Sequence, residues 1–265
     1  MRLRTLQVGV FVLLIAAWYL LTAPGLLPAF YFDQDNRAAF FFGEPQKVFW
    51  VVVEWFATGS IFIHLGVTLL ETALGFSIGA LSGLGVGLWL ALSPTASAVM
   101  DPYIKGLNSM PRVVLAPIFA VWFGLGIWSK VALGVTLVFF VVFFNVYQGV
   151  REVSPNLIAS ARMLGASRRQ LLRSIYLPAA MSWVFASLHN AVGLAFVGAV
   201  VGEYLGSARG VGYLILQAEG TFDINTVFAG ILVLTAFALA LDTAVGAVER
   251  RLMTWQPRAG ETEKV

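Results

Sequence analysis

The chain offers few side chains that could carry out covalent chemistry. It contains two histidines, His64 and His189, and no cysteine, and neither histidine has an obvious carboxylate partner nearby in the sequence. It lacks both the Gly-x4-Gly-Lys-Ser/Thr loop that cradles nucleotide phosphates and the His-Glu-x-x-His pattern of metalloproteases. We therefore predict no catalytic residue, no metal site and no cofactor bound by this chain itself.

The most concentrated group of basic residues lies in the stretch 154–180, which reads SPNLIASARMLGASRRQLLRSIYLPAA. Ser154 and Pro155 predict a helix start with the serine hydroxyl as its cap. Gly165 permits a turn, Ser167 can cap a second short helix, and Pro178 marks the passage into the next apolar segment. We predict a compact helix–turn–helix with Arg168, Arg169 and Arg173 mainly on one face and Leu171, Leu172, Ile175 and Tyr176 on the other. An exposed apolar face of this kind needs a partner surface.

Membrane-spanning helices must position this stretch. The chain is 59% hydrophobic and 12% charged, with a mean hydropathy of +0.83, whereas soluble domains carry about 25% charged residues. A helix needs roughly 20 apolar residues to cross a bilayer. Six segments are long enough: Leu6–Leu27, His64–Leu92, a third centred on Val113–Ser129, Val131–Val150, Ser174–Gly202 and Ile224–Val248. The sequence predicts an all-α, polytopic membrane helical bundle of about six transmembrane helices, forming one domain over residues 1–265.

Three segments are predicted to lie outside the crossings. Residues 28–63 form an external loop followed by an interfacial helix, since VFWVVVEWF carries Trp50 and Trp55 at the spacing of a helix at headgroup level. A seventh crossing is the alternative, and it would upset the charge asymmetry described next. Residues 151–178 form a cytoplasmic loop between the fourth and fifth helices, and residues 249–265 form a cytoplasmic tail.

The distribution of Lys and Arg orients the chain, because these residues are retained on the cytoplasmic side of short loops. With the N-terminus inside, only Arg37, Lys47, Lys130 and Arg209 lie outside. The inside then holds Arg2, Arg4, Lys105, Arg112, Arg151, Arg162, Arg168, Arg169, Arg173, Arg250, Arg251, Arg258 and Lys264. We predict that both termini are cytoplasmic.

Polar side chains inside the predicted spans are candidates for a translocation pathway, because such groups are costly at membrane depth. We predict a pathway lined by Asn145, His189 and Asn190, with Glu203 near an external gate. The alternative is interhelical hydrogen bonding that fixes packing, worth about 0.6–2 kcal/mol per bond. That alternative is favoured for Glu71 and Gln148, and both remain open for His189 and Asn190.

Small residues and prolines mark two further features of the spans. Pro111 and Pro117 predict a broken helix. Residues 108–117 then either line a translocation pathway, where irregular backbone is tolerated, or form a kink with a purely structural role. Two series of glycines are spaced every four residues. The first is Gly75, Gly79, Gly83 and Gly87, and the second is Gly198, Gly202, Gly206 and Gly210. Tight helix packing is their simpler explanation, and a sliding interface is the functional one.

The stretch 154–178 resembles the cytoplasmic loop of bacterial binding-protein-dependent ABC transporter permeases. That loop carries Glu-Ala-Ala, three residues, Gly, nine residues, Ile, one residue and Leu-Pro. Gly165, Ile175, Leu177 and Pro178 fall on the pattern, and Ala161 matches the last residue of the triplet. Ala159 stands where Glu is usual and Ser160 where Ala is usual, which removes one expected polar contact with the partner.

The resemblance extends over nearly the whole chain. The segments TLLETALGFSIGALSGLGVGLWLALSP, DPYIKGLNSMPRVVLAPIFAVWFGLGIWSK and GEYLGSARGVGYLI look like the nitrate, sulfonate and taurine branch of that family. This branch is also similar to permeases for thiamine-precursor pyrimidines and flavins.

The resemblance implies the membrane subunit of an ATP-driven importer in a bacterial inner membrane, with a sulfonate-, taurine- or nitrate-like anion as solute. ATP would be bound by a cytoplasmic partner subunit, and a periplasmic binding protein would deliver the solute to a dimer of two permease copies. Nucleic acid has no part in such a system. The implied contacts with the ATPase are Ala161, Gly165, Ile175, Leu177 and Pro178, together with Arg168 and Arg169. An ion-coupled secondary transporter is the alternative, although it would need repeats and midplane carboxylates, and Glu71 is the only acidic candidate there.

Overall fold

A computed structural model describes residues 2–23, 37–186 and 188–252. Four of its helices are long and apolar enough to cross a membrane, and two bent helix pairs raise the number to six, so the prediction of about six crossings is confirmed. The α-helices are α1 Arg2–Thr22, α2 Arg37–Phe42, α3 Pro45–Thr58, α4 Ser60–Leu92, α5 Pro94–Ser109, α6 Ala116–Phe123, α7 Ile127–Arg151, α8 Pro155–Met163, α9 Arg168–Leu171, α10 Leu177–Ala186, α11 Leu188–Leu205, α12 Val211–Gly220 and α13 Ile224–Leu252. A 3₁₀ turn, Arg112–Leu115, precedes α6, and a π-helical turn, Leu172–Tyr176, joins α9 to α10.

The third and fifth crossings are bent rather than straight. Helix α5 and the segment Arg112–Phe123 meet at 85°, while Arg168–Phe185 and Asn190–Leu205 meet at 58°. The predicted centre of the third crossing, Val113–Ser129, is wrong at its C-terminal end. Gly124 has a left-handed φ of +73° and ends α6, so Ser129 belongs to the first turn of α7.

The predicted external loop contains more helix than expected. Residues 28–36 of that prediction, and residues 24–27 of the first crossing, lie outside the described residues. Within the described part, Arg37–Phe42 forms α2 where a loop was predicted. The interfacial helix is confirmed as a helix, α3, which begins at Pro45 and ends at Thr58, and Gly59 follows in a left-handed conformation. Its 14 residues are fewer than the roughly 20 needed to cross a bilayer, which disfavours a seventh crossing.

The chain divides into two compact units. Unit 1 comprises the described residues of 1–67 and 203–236. In it the indole N–H of Trp18 donates to the carbonyl of Phe42 at 3.0 Å, and the Trp18 ring lies 5.6 Å from that of Phe228. Asn225 accepts the backbone N–H of Glu44 at 2.8 Å. These contacts join α1, the turn before α3 and α13 within this unit.

Unit 2 comprises the described residues of 68–202 and 237–252, and α7 is its most enclosed helix. A Cβ added at Gly75 of α4 would lie 3.4 Å from the Cα of Gly134, and one added at Gly198 of α11 would lie 2.7 Å from the same atom. Gly134 of α7 therefore lies between two other backbones. The glycine series of α4 is a packing surface: Cβ atoms at Gly79, Gly83 and Gly87 would meet Val138, the Phe139 carbonyl and Val146 at 2.7–2.9 Å.

The second glycine series does not lie on one helical face. Helix α11 ends at Leu205, so Gly206 and Gly210 belong to the connection that follows. Gly202 packs against Lys130, whose Cγ would lie 2.8 Å from a Cβ at that position. Lys130 is 1% exposed, and its ammonium group donates to the carbonyls of Leu125 and Gly126 at 2.5 and 3.0 Å, so it holds the turn between α6 and α7.

The close contact at Gly83 gives a direct test of this packing. We expect Gly83→Ala to lower the melting temperature of the detergent-solubilised protein, because the new Cβ would lie 2.7 Å from the Phe139 carbonyl oxygen and overpacking costs about 1–3 kcal/mol. Gly85→Ala is the matched control on the same helix, since a Cβ there meets nothing within 4 Å. Equal melting temperatures for the two variants would contradict the packing described here.

Candidate functional site

The cytoplasmic loop predicted from the basic stretch folds as two short helices joined by a tight turn. Helix α8 ends at Met163, and Gly165 follows with a φ of +84°. The N–H of Gly165 donates to the Arg162 carbonyl and that of Ala166 to the Ala161 carbonyl, both at 3.0 Å. This bond pattern is the Schellman motif, which favours glycine at the left-handed position. The predicted turn at Gly165 is confirmed.

The two serines of the loop behave differently. The hydroxyl oxygen of Ser167 accepts the N–H of Gln170 at 3.3 Å, and the Gln170 side chain accepts the N–H of Ser167 at 2.8 Å. This reciprocal capping box satisfies two backbone donors at the start of α9 and confirms Ser167 as a cap. The predicted cap at Ser154 is wrong, because its side chain makes no capping bond although α8 begins at the next residue.

Pro178 does not interrupt the chain where the second helix meets the fifth crossing. The helix that begins at Arg168 continues through the π turn Leu172–Tyr176 into α10. Proline has no N–H and its ring crowds the preceding turn. The N–H of Leu177 donates to the Leu172 carbonyl five residues back, so the wider turn directly precedes the proline. One continuous helical segment, Arg168–Ala186, therefore runs from the loop into the membrane span, and we call it the rod.

The loop encloses a groove of about 290 Å³ between α8 and the rod. Three of the predicted contact residues, Ala161, Gly165 and Ile175, line it. The remaining lining residues are Leu164, Ala166, Gln170, Leu171 and Ser174. Leu177 and Pro178 lie farther along the rod, and Arg168 and Arg169 are exposed at its start.

Two exposed apolar side chains at the turn were missed by the sequence prediction. Met163 is 81% exposed and Leu164 is 89% exposed. Their position directly before the turn glycine was the available signal, since residues at the tip of a helix hairpin have few neighbours within the hairpin. Large apolar side chains this exposed need cover from lipid or another protein.

The predicted pathway residues occupy different surroundings. Asn145 donates its side-chain N–H to the Val141 carbonyl of its own helix at 2.8 Å, and Asn190 is exposed on α11. The side chain of His189 lies outside the described part of the structure. Asn145 and Asn190 belong to unit 2, and Glu203 belongs to unit 1.

Glu203 is enclosed by the connection that follows α11. It is 0% exposed, and its carboxylate accepts the N–H of Gly212 at 2.8 Å in the first turn of α12. Gly210 has a φ of +110°, and a side chain there would overlap the Glu203 carboxyl group. The ring Nδ1 of His64 lies 3.0 Å from the Gly210 carbonyl oxygen, and the ring stacks on Tyr213. Sequence reasoning did not connect these residues, because His64 is 146 positions from Gly210.

Comparison with known proteins assigns the chain to a family. Residues 83–254 match the family described as the inner membrane component of binding-protein-dependent transport systems. The chain belongs to this family. The matched region contains the whole loop 151–178. The permease is therefore a transport subunit of an ABC importer with several membrane-spanning helices in the inner membrane. This assignment replaces the ion-coupled alternative and implies an ATPase subunit and a solute-binding protein as partners.

Individual relatives agree with this assignment. The permease is 33% identical over 212 residues to a Bacillus subtilis protein named as the aliphatic sulfonates transport permease SsuC, covering 80% of this chain and 77% of the relative. It is 28% identical to the taurine transport system permease protein TauC of Escherichia coli, covering 95% and 90% of the two chains. A solved inward-facing structure of the MetNI methionine ABC transporter shares the fold, with a TM-score of 0.61 and 19% identity over 73% of this chain and 96% of that one.

The capping box gives a test of the loop structure. We expect Ser167→Ala to accelerate amide hydrogen exchange over residues 168–171, because losing an N-cap side chain costs a helix about 1 kcal/mol. Ser154→Ala is the matched control and should leave exchange in α8 unchanged, since its hydroxyl caps nothing. If both variants exchange like the wild type, the box does not hold the start of α9.

Proposed function

We propose that this permease imports a small sulfonate-like anion, with taurine, alkanesulfonates and nitrate as the candidate solutes. The supporting observation is the 33% identity, over 80% of the chain, to a relative named for aliphatic sulfonates. The alignment with a taurine permease over 95% of the chain supports the same solute class. Energy would come from ATP hydrolysed by the partner subunit.

We further propose that two copies of the permease assemble with two ATPase subunits, with both chain termini in the cytoplasm. The turn between α8 and α9 is the proposed contact with the ATPase. Met163 and Leu164 project from it as exposed apolar groups, and Arg168 and Arg169 supply positive charge beside them. An apolar anchor flanked by arginine is typical of a protein interface.

The continuous rod explains how movement of the loop would reach the membrane. The segment Arg168–Ala186 is helical throughout, so a displacement at its first turn is carried into α10. Helix α10 in turn packs closely on α7, where a Cβ at Gly149 would lie 2.6 Å from the Trp183 ring. Ala180 and Val184 of α10 join the core formed with Val146 and Val150 of α7. Because packed interfaces deform little, the rod and α7 are expected to move together.

The predicted pathway residues receive unequal support from their surroundings. Asn190 is exposed on α11 and remains our proposed pathway residue there. Asn145 donates a side-chain N–H to the Val141 carbonyl of its own helix, a bond that accounts for this side chain without a solute, and it receives weaker support as a pathway residue. For Glu203, the bond to Gly212 favours a role in holding the connection between α11 and α12 over direct contact with solute.

The solute class can be tested in proteoliposomes that contain the permease together with its ATPase subunit and its solute-binding protein. We expect ATP-dependent uptake of labelled taurine or pentanesulfonate above that of formylaminopyrimidine and riboflavin, which represent the uncharged alternatives. Omitting ATP is the control for each solute. Uptake restricted to the uncharged compounds would overturn the proposed anion class while leaving the importer intact.

The turn glycine provides a test of coupling. We expect Gly165→Val to reduce solute uptake several-fold while ATP hydrolysis continues, because the left-handed conformation costs an ordinary L-residue roughly 1–2 kcal/mol and a β-branched residue more. No atom lies within 4 Å of a Cβ at this position, so the effect comes from the backbone. Gly165→Asn is the control, since asparagine tolerates this conformation. Wild-type uptake by an assembled Gly165→Val complex would argue against the coupling role.

A further inference from the structure

Arg112 lies beside the middle of α7, although the charge distribution counted it among the residues on the cytoplasmic side. Its guanidinium carbon lies 4.7 Å from the centre of the Phe140 ring. Phe140 is the fourteenth residue of α7, which has 25. At 1.5 Å per residue it lies about 20 Å from the first residue of α7 and about 17 Å from the last. Arg112 is therefore at membrane depth.

The surroundings of Arg112 hold its guanidinium in place without neutralising it. Nη2 donates to the backbone carbonyl of Asn108 at 3.1 Å and to the Asn108 side-chain oxygen, and the Phe140 ring offers its π face. These are neutral groups. The Nε–H is buried and has no acceptor among the described residues. A buried donor without an acceptor is an energetic cost, and an anion that approaches the exposed side of the guanidinium would offset the positive charge through charge-assisted hydrogen bonds.

The backbone around Arg112 also cannot face lipid. The chain turns by 85° between α5 and the segment that begins at Arg112, and Pro111 contributes no N–H. Met110, Val113 and Val114 are 40%, 49% and 65% exposed in the single chain. Irregular backbone at membrane depth is tolerated only where it is covered by protein or lines a water-filled cavity. A charged side chain at the same depth has the same requirement.

We propose that Arg112 is the anion-recognising residue of the translocation pathway. The inference rests on the proposed import of a sulfonate-like anion and names the group that would meet it. The guanidinium presents N–H donors in a planar fork that fits two oxygens of a sulfonate or nitrate. Asn108 and Phe140 set the direction of that fork, so the site is formed before the solute arrives.

The site would distinguish solutes by charge. An uncharged solute cannot balance the charge of the half-buried guanidinium, whereas an anion forms charge-assisted hydrogen bonds with it. Selection at Arg112 would add to whatever selection the binding protein exercises. It would also explain the presence of a charge at a depth where arginine is otherwise rare.

The absence of cysteine from the chain permits a test in which charge is removed and restored. Arg112→Cys would be assayed for sulfonate uptake in the reconstituted complex before and after treatment with two methanethiosulfonate reagents. One attaches an aminoethyl group, whose primary ammonium carries a positive charge and N–H donors, and the other attaches a sulfonate group, each through a mixed disulfide. The wild-type complex receives the same reagents, so that effects on the partner subunits are measured separately.

We expect Arg112→Cys to lower sulfonate uptake about tenfold, the loss that accompanies removal of one charge-assisted hydrogen bond. The cationic reagent should restore part of the uptake, because its ammonium supplies the charge and N–H donors but not the planar fork, and the anionic reagent should not. Lys105→Cys is the matched control: Lys105 lies on the same bent pair, is exposed and pairs with Asp101 at 2.7 Å. Its modification by either reagent should leave uptake unchanged.

Wild-type uptake by Arg112→Cys, or equal effects of the two reagents on it, would overturn the inference while leaving sulfonate import established. A wild-type complex that transports no sulfonate would instead overturn the proposed function. If Arg112→Cys fails to assemble with the ATPase, Arg112→Lys replaces it, because lysine keeps the charge but lacks the planar fork. A several-fold loss of sulfonate uptake is expected for that variant, and unchanged uptake would count against the inference.

Discussion

Three helices of unit 2 touch through their backbones at Gly134, and the positions of the other helical segments in that unit follow from this contact. Helix α7 lies between α4 and α11 at a separation that a side chain on Gly75 or Gly198 would increase. In a bilayer, apolar side chains gain little by leaving lipid for protein, so helix association depends on close packing. Glycine at the contact points permits that packing, and α7 becomes the fixed element of the unit.

Helix α7 makes a different contact at its start, its middle and its end, and each contact has a role in the proposed mechanism. At its first turn Lys130 holds the connection from α6. At its middle Phe140 supports Arg112, and near its last turn Gly149 receives Trp183 from α10. A movement of α10 would therefore act on the helix that also positions the proposed anion site. This arrangement offers a physical route from the loop between α8 and α9 to the proposed anion site within a single compact unit.

The loop between α8 and α9 combines a rigid backbone with an exposed apolar tip. The Schellman turn at Gly165 and the capping box at Ser167 satisfy the backbone groups of two short helices and leave Met163 and Leu164 exposed. The π turn before Pro178 keeps the second helix continuous with the span. Rigidity within the hairpin, together with its exposed apolar tip, suits a part that transmits force between proteins.

The sequence by itself determined the number of spans, the helix–turn–helix and the turn glycine, because each depends on local composition or on a short motif. Glycines at every fourth residue of α4 likewise indicated a packing face before any partner was known. Only the tertiary structure decided which helix those glycines meet, how the chain bends after Ser109, and that Glu203 is closed in by Gly210 and Gly212. It also placed Arg112 beside Phe140 at the middle of α7 and not on the predicted cytoplasmic side, because proline reveals a possible break in a helix but not its angle. Depth in the bilayer depends on that angle and on the neighbouring helix, which are properties of the packed chain.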